Sequence, residues 1–166
     1  MSASPKQLLI AALKDETART RRLLNAFPAS ASEMRPHATS QSAREVAHTL
    51  CIEAGVSMAA VNGTLDLSKM GAMPPAPATW SEVLAAFDGA YAGLIGLLEQ
   101  TADAELDKAV TFMTGPKQMG PVPKLALVQF MLNDQIHHRG QLSVYLRMSG
   151  SKVPSIYGPS KDEPWM

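Results

Sequence analysis

From Pro123 to about Ser149 the chain reads as one helix of roughly 27 residues, or about 40 Å at 1.5 Å per residue. Pro123 suits the first turn of a helix, and Gly150 is a natural stop. Leu127, Met131, Asp134, His138, Gln141/Leu142, Tyr145 and Met148 recur at spacings of three and four, which draws one inward stripe. The stripe is apolar apart from a carboxylate and an imidazole. A helix of this kind is one wall of a small helical bundle, and it has to explain why Asp134 and His138 lie in line with residues that must be buried.

Three earlier segments supply the other walls. Ser4 is an N-cap with Pro5 at the first helical position, and Leu9, Ala12, Leu13, Leu23, Leu24 and Phe27 outline a stripe that is weak over the polar run from Asp15 to Arg22. Phe27-Pro28 ends that helix, and Ala29 to Thr39 reads as a loop carrying His37, which loops ordinarily leave in solvent. Ser42 and Glu45 form a Ser-x-x-Glu capping box for a second helix that runs to about Val61, where Asn62-Gly63 stops it. Thr79 and Glu82 form another box for a third helix down to about Thr101. The connections are long: residues 64 to 78 hold one helical turn within Leu65 to Met70, and residues 102 to 122 hold an extended piece at Val110 to Met113 between Gly-Pro turns. After Gly150, the Val153, Ile156 and Tyr157 of a Pro- and Gly-rich tail suggest that it lies along the bundle.

The expected architecture is all-α, a four-helix bundle with long crossover connections, in a single domain over residues 1–166 with residues 150–166 as a packed tail. At 166 residues one domain buries roughly 70% of its unfolded surface. Fifteen basic residues balance fifteen acidic ones, which gives no electrostatic footprint for nucleic acid. The single cysteine, Cys51, cannot form an internal disulfide, and a reducing cytoplasm is the expected compartment. No stretch is read as long enough to span a bilayer, and no membrane partner is expected.

An unpaired ion in a core costs several kcal/mol. Asp134 and His138 can meet that cost by pairing with each other, with Arg139 or another basic residue, or with a metal ion. Residues at i and i+4 bring their Cβ atoms within about 5–6 Å, which suits two ligands converging on one ion. His48 is the other histidine that borders an inward stripe, and with Asp134 and His138 it makes two imidazoles and a carboxylate, a set suited to zinc or non-haem iron, with nickel or manganese also admitted. His137 points to the side of the stripe. Cys51, one turn from His48, is a ligand candidate or a small buried hydrophobe. Glu53 is five residues from His48, off its face, and no general-base carboxylate accompanies the set. Arg139 is read as an anion partner or as an outward salt bridge or dimer contact.

The run His137-His138-Arg139-Gly140-Gln141-Leu142-Ser143-Val144-Tyr145-Leu146-Arg147 resembles the signature of the DinB/YfiT-like, or damage-inducible, family. Arg35-Pro36-His37-Ala38-Thr39-Ser40 ahead of the helix carrying His48, and the tail Val153-Pro154-Ser155-Ile156-Tyr157-Gly158-Pro159-Ser160, are similar to further family features. The resemblance implies a four-helix bundle, commonly a homodimer, and a divalent-metal site of one second-helix histidine and a His-x-x-x-His pair. Position by position these fall on His48, Asp134 and His138, with aspartate where histidine is usual. The metal so implied is zinc or nickel first, iron or manganese after them. The activity implied is a metal-dependent thiol S-transferase acting on a low-molecular-weight thiol and an electrophile. Against it stand a non-catalytic metal-binding stress or scaffold protein and a metal-dependent hydrolase.

Overall fold

The structure, a computed structural model, describes residues 3–69, 71 and 73–166. Four long helices carry it: α1 (Pro5–Ala26), α2 (Ala43–Val61), α3 (Trp80–Gln100) and, after a one-turn α4 (Asp103–Leu106) and a hairpin of β1 (Ala109–Gly115) and β2 (Gln118–Pro123), α5 (Lys124–Met148). The first three start where local chemistry dictates. Ser4, Ser42 and Thr79 each accept the N–H three residues on, and Gln7, Glu45 and Glu82 return the bond, so that two otherwise orphaned donors are satisfied at each start. Gly63 and Gly150, just past the ends of α2 and α5, sit at φ +70° and +78°, where a side chain would strain the backbone. The expected helical turn near residue 67 is a 3₁₀ turn at Leu67–Lys69, and Met70 lies outside the described residues.

α2 packs on α3 and α5, and α1 packs on the same two helices, so α1 and α2 occupy opposite corners of the bundle. The segments 27–42 and 101–123 therefore each cross an end of the bundle, which is why the connections are long. α2 and α5 run antiparallel: the Tyr145 hydroxyl donates to the Gln41 carbonyl at 3.0 Å near one end, and the Lys124 ammonium donates to the Val61 carbonyl at 2.9 Å near the other. Leu13, Leu23, Leu50, Phe87, Leu94, Leu142 and Leu146 fill the centre. Trp80 seats its ring against Phe27, with centroids 4.9 Å apart, and donates its indole N–H to the Leu24 carbonyl. The hairpin closes one end of the bundle by burying Phe112 against Ala60, Leu127 and Met131.

Two expectations are corrected by the helix faces. α3 is, by length and composition, apolar enough to cross a membrane, contrary to the reading that no stretch was; here it turns Val83, Phe87, Tyr91, Leu94 and Leu98 into the core. Leu84, Ile95 and Leu97, half-buried beside that face, add to its apolar character. On α5 the buried positions are Lys124, Leu127, Val128, Met131, Leu132, Gln135, Arg139, Leu142, Tyr145 and Leu146, so the core stripe is rotated by one residue from the expected line. Asp134 and His138 fall on its half-buried border, and Met148 is exposed.

Arg139 is therefore an inward residue, not an outward one, at 3% exposure. Its guanidinium donates to Glu16 Oε2 at 2.6 Å and to Thr20 Oγ1 at 3.3 Å, and it also reaches the Tyr157 hydroxyl. Tyr157 donates to the same Glu16 oxygen at 2.7 Å, and its ring lies 5.0 Å from the Arg139 guanidinium carbon. The polar middle of α1 is thus the complement of Arg139: Glu16 and Thr20 are buried because the arginine is. The Glu16 carboxyl is held below the usual carboxylate range, with Tyr157 and Arg139 overcoming the opposing effect of burial. The same contacts fix the C-terminal tail, along with Glu163, which pairs with Arg22 at 2.6 Å and accepts the Ser155 N–H at 2.8 Å.

Candidate metal centre

Asp134 and His138 are brought together with Glu53 of α2. One ligand atom from each of the three lies within 4.8 Å of the others. His138 Nδ1 and Glu53 Oε1 are 2.6 Å apart and share a proton, and Asp134 Oδ1 is 3.8 Å from the same ring nitrogen. Glu53 was set aside in the sequence as lying off the His48 face. It lies on the face that matters: Val46, Leu50, Glu53, Ala54 and Ser57 form the buried stripe of α2, one helical turn apart.

His48 is not part of this group. The antiparallel register of α2 and α5 carries it to about the level of His138, but five residues along a helix is about 140° of rotation from Glu53. It lines a separate cavity of about 430 Å³ with Arg35, Thr39, Glu45 and Pro74. Burial and the charge of Arg44 lower its pKa. His137 is exposed, with Nε2 2.9 Å from the Gln141 amide, and His37 is exposed beside Thr39. Cys51 stays outside the group as well, and burial with the nearby Glu53 charge pushes its thiol up to about 12, far from a thiolate at neutral pH.

The electrostatics of the trio are those of a proton held in a low-dielectric pocket. Burial raises the Glu53 carboxyl to about 7 against the pull of His138, and Asp134 adds to the rise. His138 is raised chiefly by its hydrogen bond to Glu53, with burial opposing. Among the described residues, Glu53 Oε2 is buried with no hydrogen-bond partner, and so are both amide atoms of the fully buried Gln135, the next residue after Asp134. The Tyr91 hydroxyl approaches that amide without reaching hydrogen-bond geometry, and its pKa is raised by burial and by Glu53. Polar atoms left unpaired in a core call for a reason.

This donor set fits a divalent cation. Two carboxylates and one imidazole offset a charge of two, and the orphaned Glu53 oxygen lacks the partner an ion supplies. Two donors on one ion at about 2.1 Å sit about 3 Å or more apart. The proton now between His138 and Glu53 and an ion between the same two atoms therefore exclude each other. Asp134 is the most exposed of the three side chains, at 38%, so approach is from its side of α5.

Residues 1–165 match the family model of the DinB family. The chain belongs to the DinB family. Solved structures of the family share its architecture. The DinB-like protein YjoA of Bacillus subtilis superposes with a TM-score of 0.69 at 20% identity, covering 90% of this chain and 97% of that one. A DinB-like protein of Bacillus cereus ATCC 10987 gives 0.70 at 19% identity over 90% and 95%. YfiT of Bacillus subtilis, described as a probable metal-dependent hydrolase with an unusual four-helix bundle topology, gives 0.64 at 17% identity over 91% and 92%. In sequence, the uncharacterized protein YrdA of Bacillus subtilis (strain 168) is 40% identical over 67 residues, 40% of this chain and 37% of that relative's length.

Proposed function

We propose that this DinB-family chain binds a divalent cation through Glu53, Asp134 and His138 and serves as a metal-dependent hydrolase. The observation that carries the reading is the placement of Glu53. A second carboxylate converges on the Asp134–His138 pair and keeps one buried oxygen without a partner. A divalent ion held there supplies Lewis acidity and makes bound water a stronger acid. The chain supplies the rest. Glu53 would hold the ion from inside the bundle. His138 would hold the ion through Nδ1, the ring nitrogen turned toward Glu53 and Asp134. Asp134 holds the solvent side.

Hydrolysis ranks above thiol transfer on the chemistry of these ligands. Two carboxylates make a harder site than two histidines and one carboxylate, less matched to a soft thiolate. The description of YfiT as a probable metal-dependent hydrolase supports the same direction.

Elemental analysis of the purified protein, with titration of zinc and manganese into the chelated form, tests the binding. Wild type is expected to take up one ion per chain, and Glu53→Gln, Asp134→Asn and His138→Ala to lose it. A parallel screen of ester, amide and phosphoester substrates against a thiol-conjugation assay tests the class. Turnover confined to thiol conjugation would restore the transferase reading, and metal uptake with no turnover would make the site structural.

A further inference from the structure

Among the described residues, four buried side-chain atoms have no hydrogen-bond partner, and three of them belong to Glu53 and Gln135. Protein cores rarely keep such atoms without a use for them. Gln135 is fully buried on α5, Glu53 is 3% exposed on α2 and Tyr91 is 2% exposed on α3, so three helices each turn one polar side chain inward. The Tyr91 hydroxyl links the other two. It approaches the Gln135 amide, and it lies near enough to Glu53 for that charge to raise its pKa. The Tyr91 ring is held against Phe87, with centroids 4.7 Å apart.

Packing alone does not call for an amide at position 135. Methionine has nearly the same volume and brings no polar atom to satisfy, and chains give up stability of this kind mainly where function needs the group. Glu53 is drawn to His138, with Oε1 2.6 Å from Nδ1, and its Oε2 is left over. An ionised carboxylate has about four acceptor positions, so one that coordinates an ion can still accept from a donor behind it. Gln135 offers two amide hydrogens that have no acceptor.

We propose that Gln135 and Tyr91 are positioning residues for the metal centre, a role that rests on Glu53, Asp134 and His138 being its ligands: Gln135 Nε2 donates to Glu53 when that carboxylate holds the ion, and the Tyr91 hydroxyl donates to Gln135 Oε1. The chain of two bonds runs from α3 through α5 to α2. All three orphaned atoms find their partners in it. Ligating carboxylates are commonly oriented by hydrogen bonds of this kind, and losing such a partner weakens metal binding without removing a ligand. Gln135 and Tyr91 touch neither the ion nor a substrate; they fix the plane of Glu53.

Zinc affinity, measured by chelator competition on the full chain, tests this in wild type, Glu53→Gln, Gln135→Met, Tyr91→Phe and the variant carrying the last two changes. The melting temperature of each is taken with chelator present. Gln135→Met is expected to weaken zinc binding about tenfold while its melting temperature in chelator stays at or above that of wild type. A glutamine that served only the fold would lower both. Tyr91→Phe is expected to weaken binding about threefold alone and to add nothing beside Gln135→Met, because the two side chains act through one chain of bonds. In wild type, zinc is expected to move the assigned Gln135 side-chain amide protons downfield, as a new bond to a carboxylate does. If Gln135→Met does not fold, Tyr91→Phe and the wild-type amide shift decide the matter. Undiminished zinc affinity in Gln135→Met or Tyr91→Phe, a melting temperature in chelator lowered by Gln135→Met, additive losses in the double variant, or amide protons that zinc leaves unmoved would each overturn the positioning role and leave the ligands standing. Zinc affinity that Glu53→Gln does not reduce would overturn the ligand assignment, and the positioning role with it.

Discussion

Glu53 and His138 hold their shared proton more tightly in the folded chain than the separate groups would in water. Both pKa values are raised on folding, Glu53 from 4.5 to about 7 and His138 above 6.5. The stability each contributes is fully present below its unfolded value and is lost as pH rises through its folded value. With chelator present, the melting temperature is therefore expected to fall between about pH 5 and 8, and Glu53→Gln is expected to flatten that slope; a melting temperature rising over this window would refute the assignment. Gln135 gives a second residue-scale prediction. Its amide is fully buried with neither atom hydrogen-bonded, so Gln135→Met, close in volume, is expected to raise stability by about 1–3 kcal/mol in urea titration. A loss of that size would mean that the amide is satisfied in solution.

Between elements, α1, α5 and the tail are joined by Glu16, Arg139 and Tyr157. Removing one member of a buried ion pair leaves the other uncompensated. Arg139→Met is thus expected to cost about 3–5 kcal/mol, while Glu16→Leu with Arg139→Met recovers most of the loss, because an apolar pair needs no solvation. Additive losses in that double-mutant cycle would show that the two residues act separately. Truncation before residue 153 is expected to destabilise the chain through the same network, since it removes Tyr157 from Glu16 and Glu163 from Arg22. Thermal melts of the truncated chain measure this.

For the whole molecule, α2 and α5 are the pair that metal binding would tie together. An ion that binds only the folded chain adds about 2.7 kcal/mol of stability at one hundred times its dissociation constant. Zinc or manganese is expected to raise the melting temperature of wild type and leave Asp134→Asn and Glu53→Gln unmoved. Because the ion displaces a proton, the affinity is expected to increase from pH 6 to 8, and calorimetry in two buffers would detect the released proton. Binding that does not vary with pH would place the ion elsewhere.

The starts of α1, α2 and α3, and the stops after α2 and α5, were legible in the sequence because capping acts within three or four residues. Ser4 with Pro5, Ser42 with Glu45 and Thr79 with Glu82 carry their geometry with them, as do Gly63 and Gly150. The pairing of Asp134 with His138 was legible for the same reason, being one turn of one helix. Which residue of α2 meets them was not. Glu53 and His48 both border apolar positions, and choosing between faces about 140° apart requires knowing how far α2 is rotated about its own axis. That rotation is set by how Leu50, Ala54 and Ser57 pack against neighbouring helices, a long-range outcome that no local spacing contains. The burial of Arg139 and the approach of Tyr91 to Gln135 were decided in the same way, by elements that meet only in the folded chain.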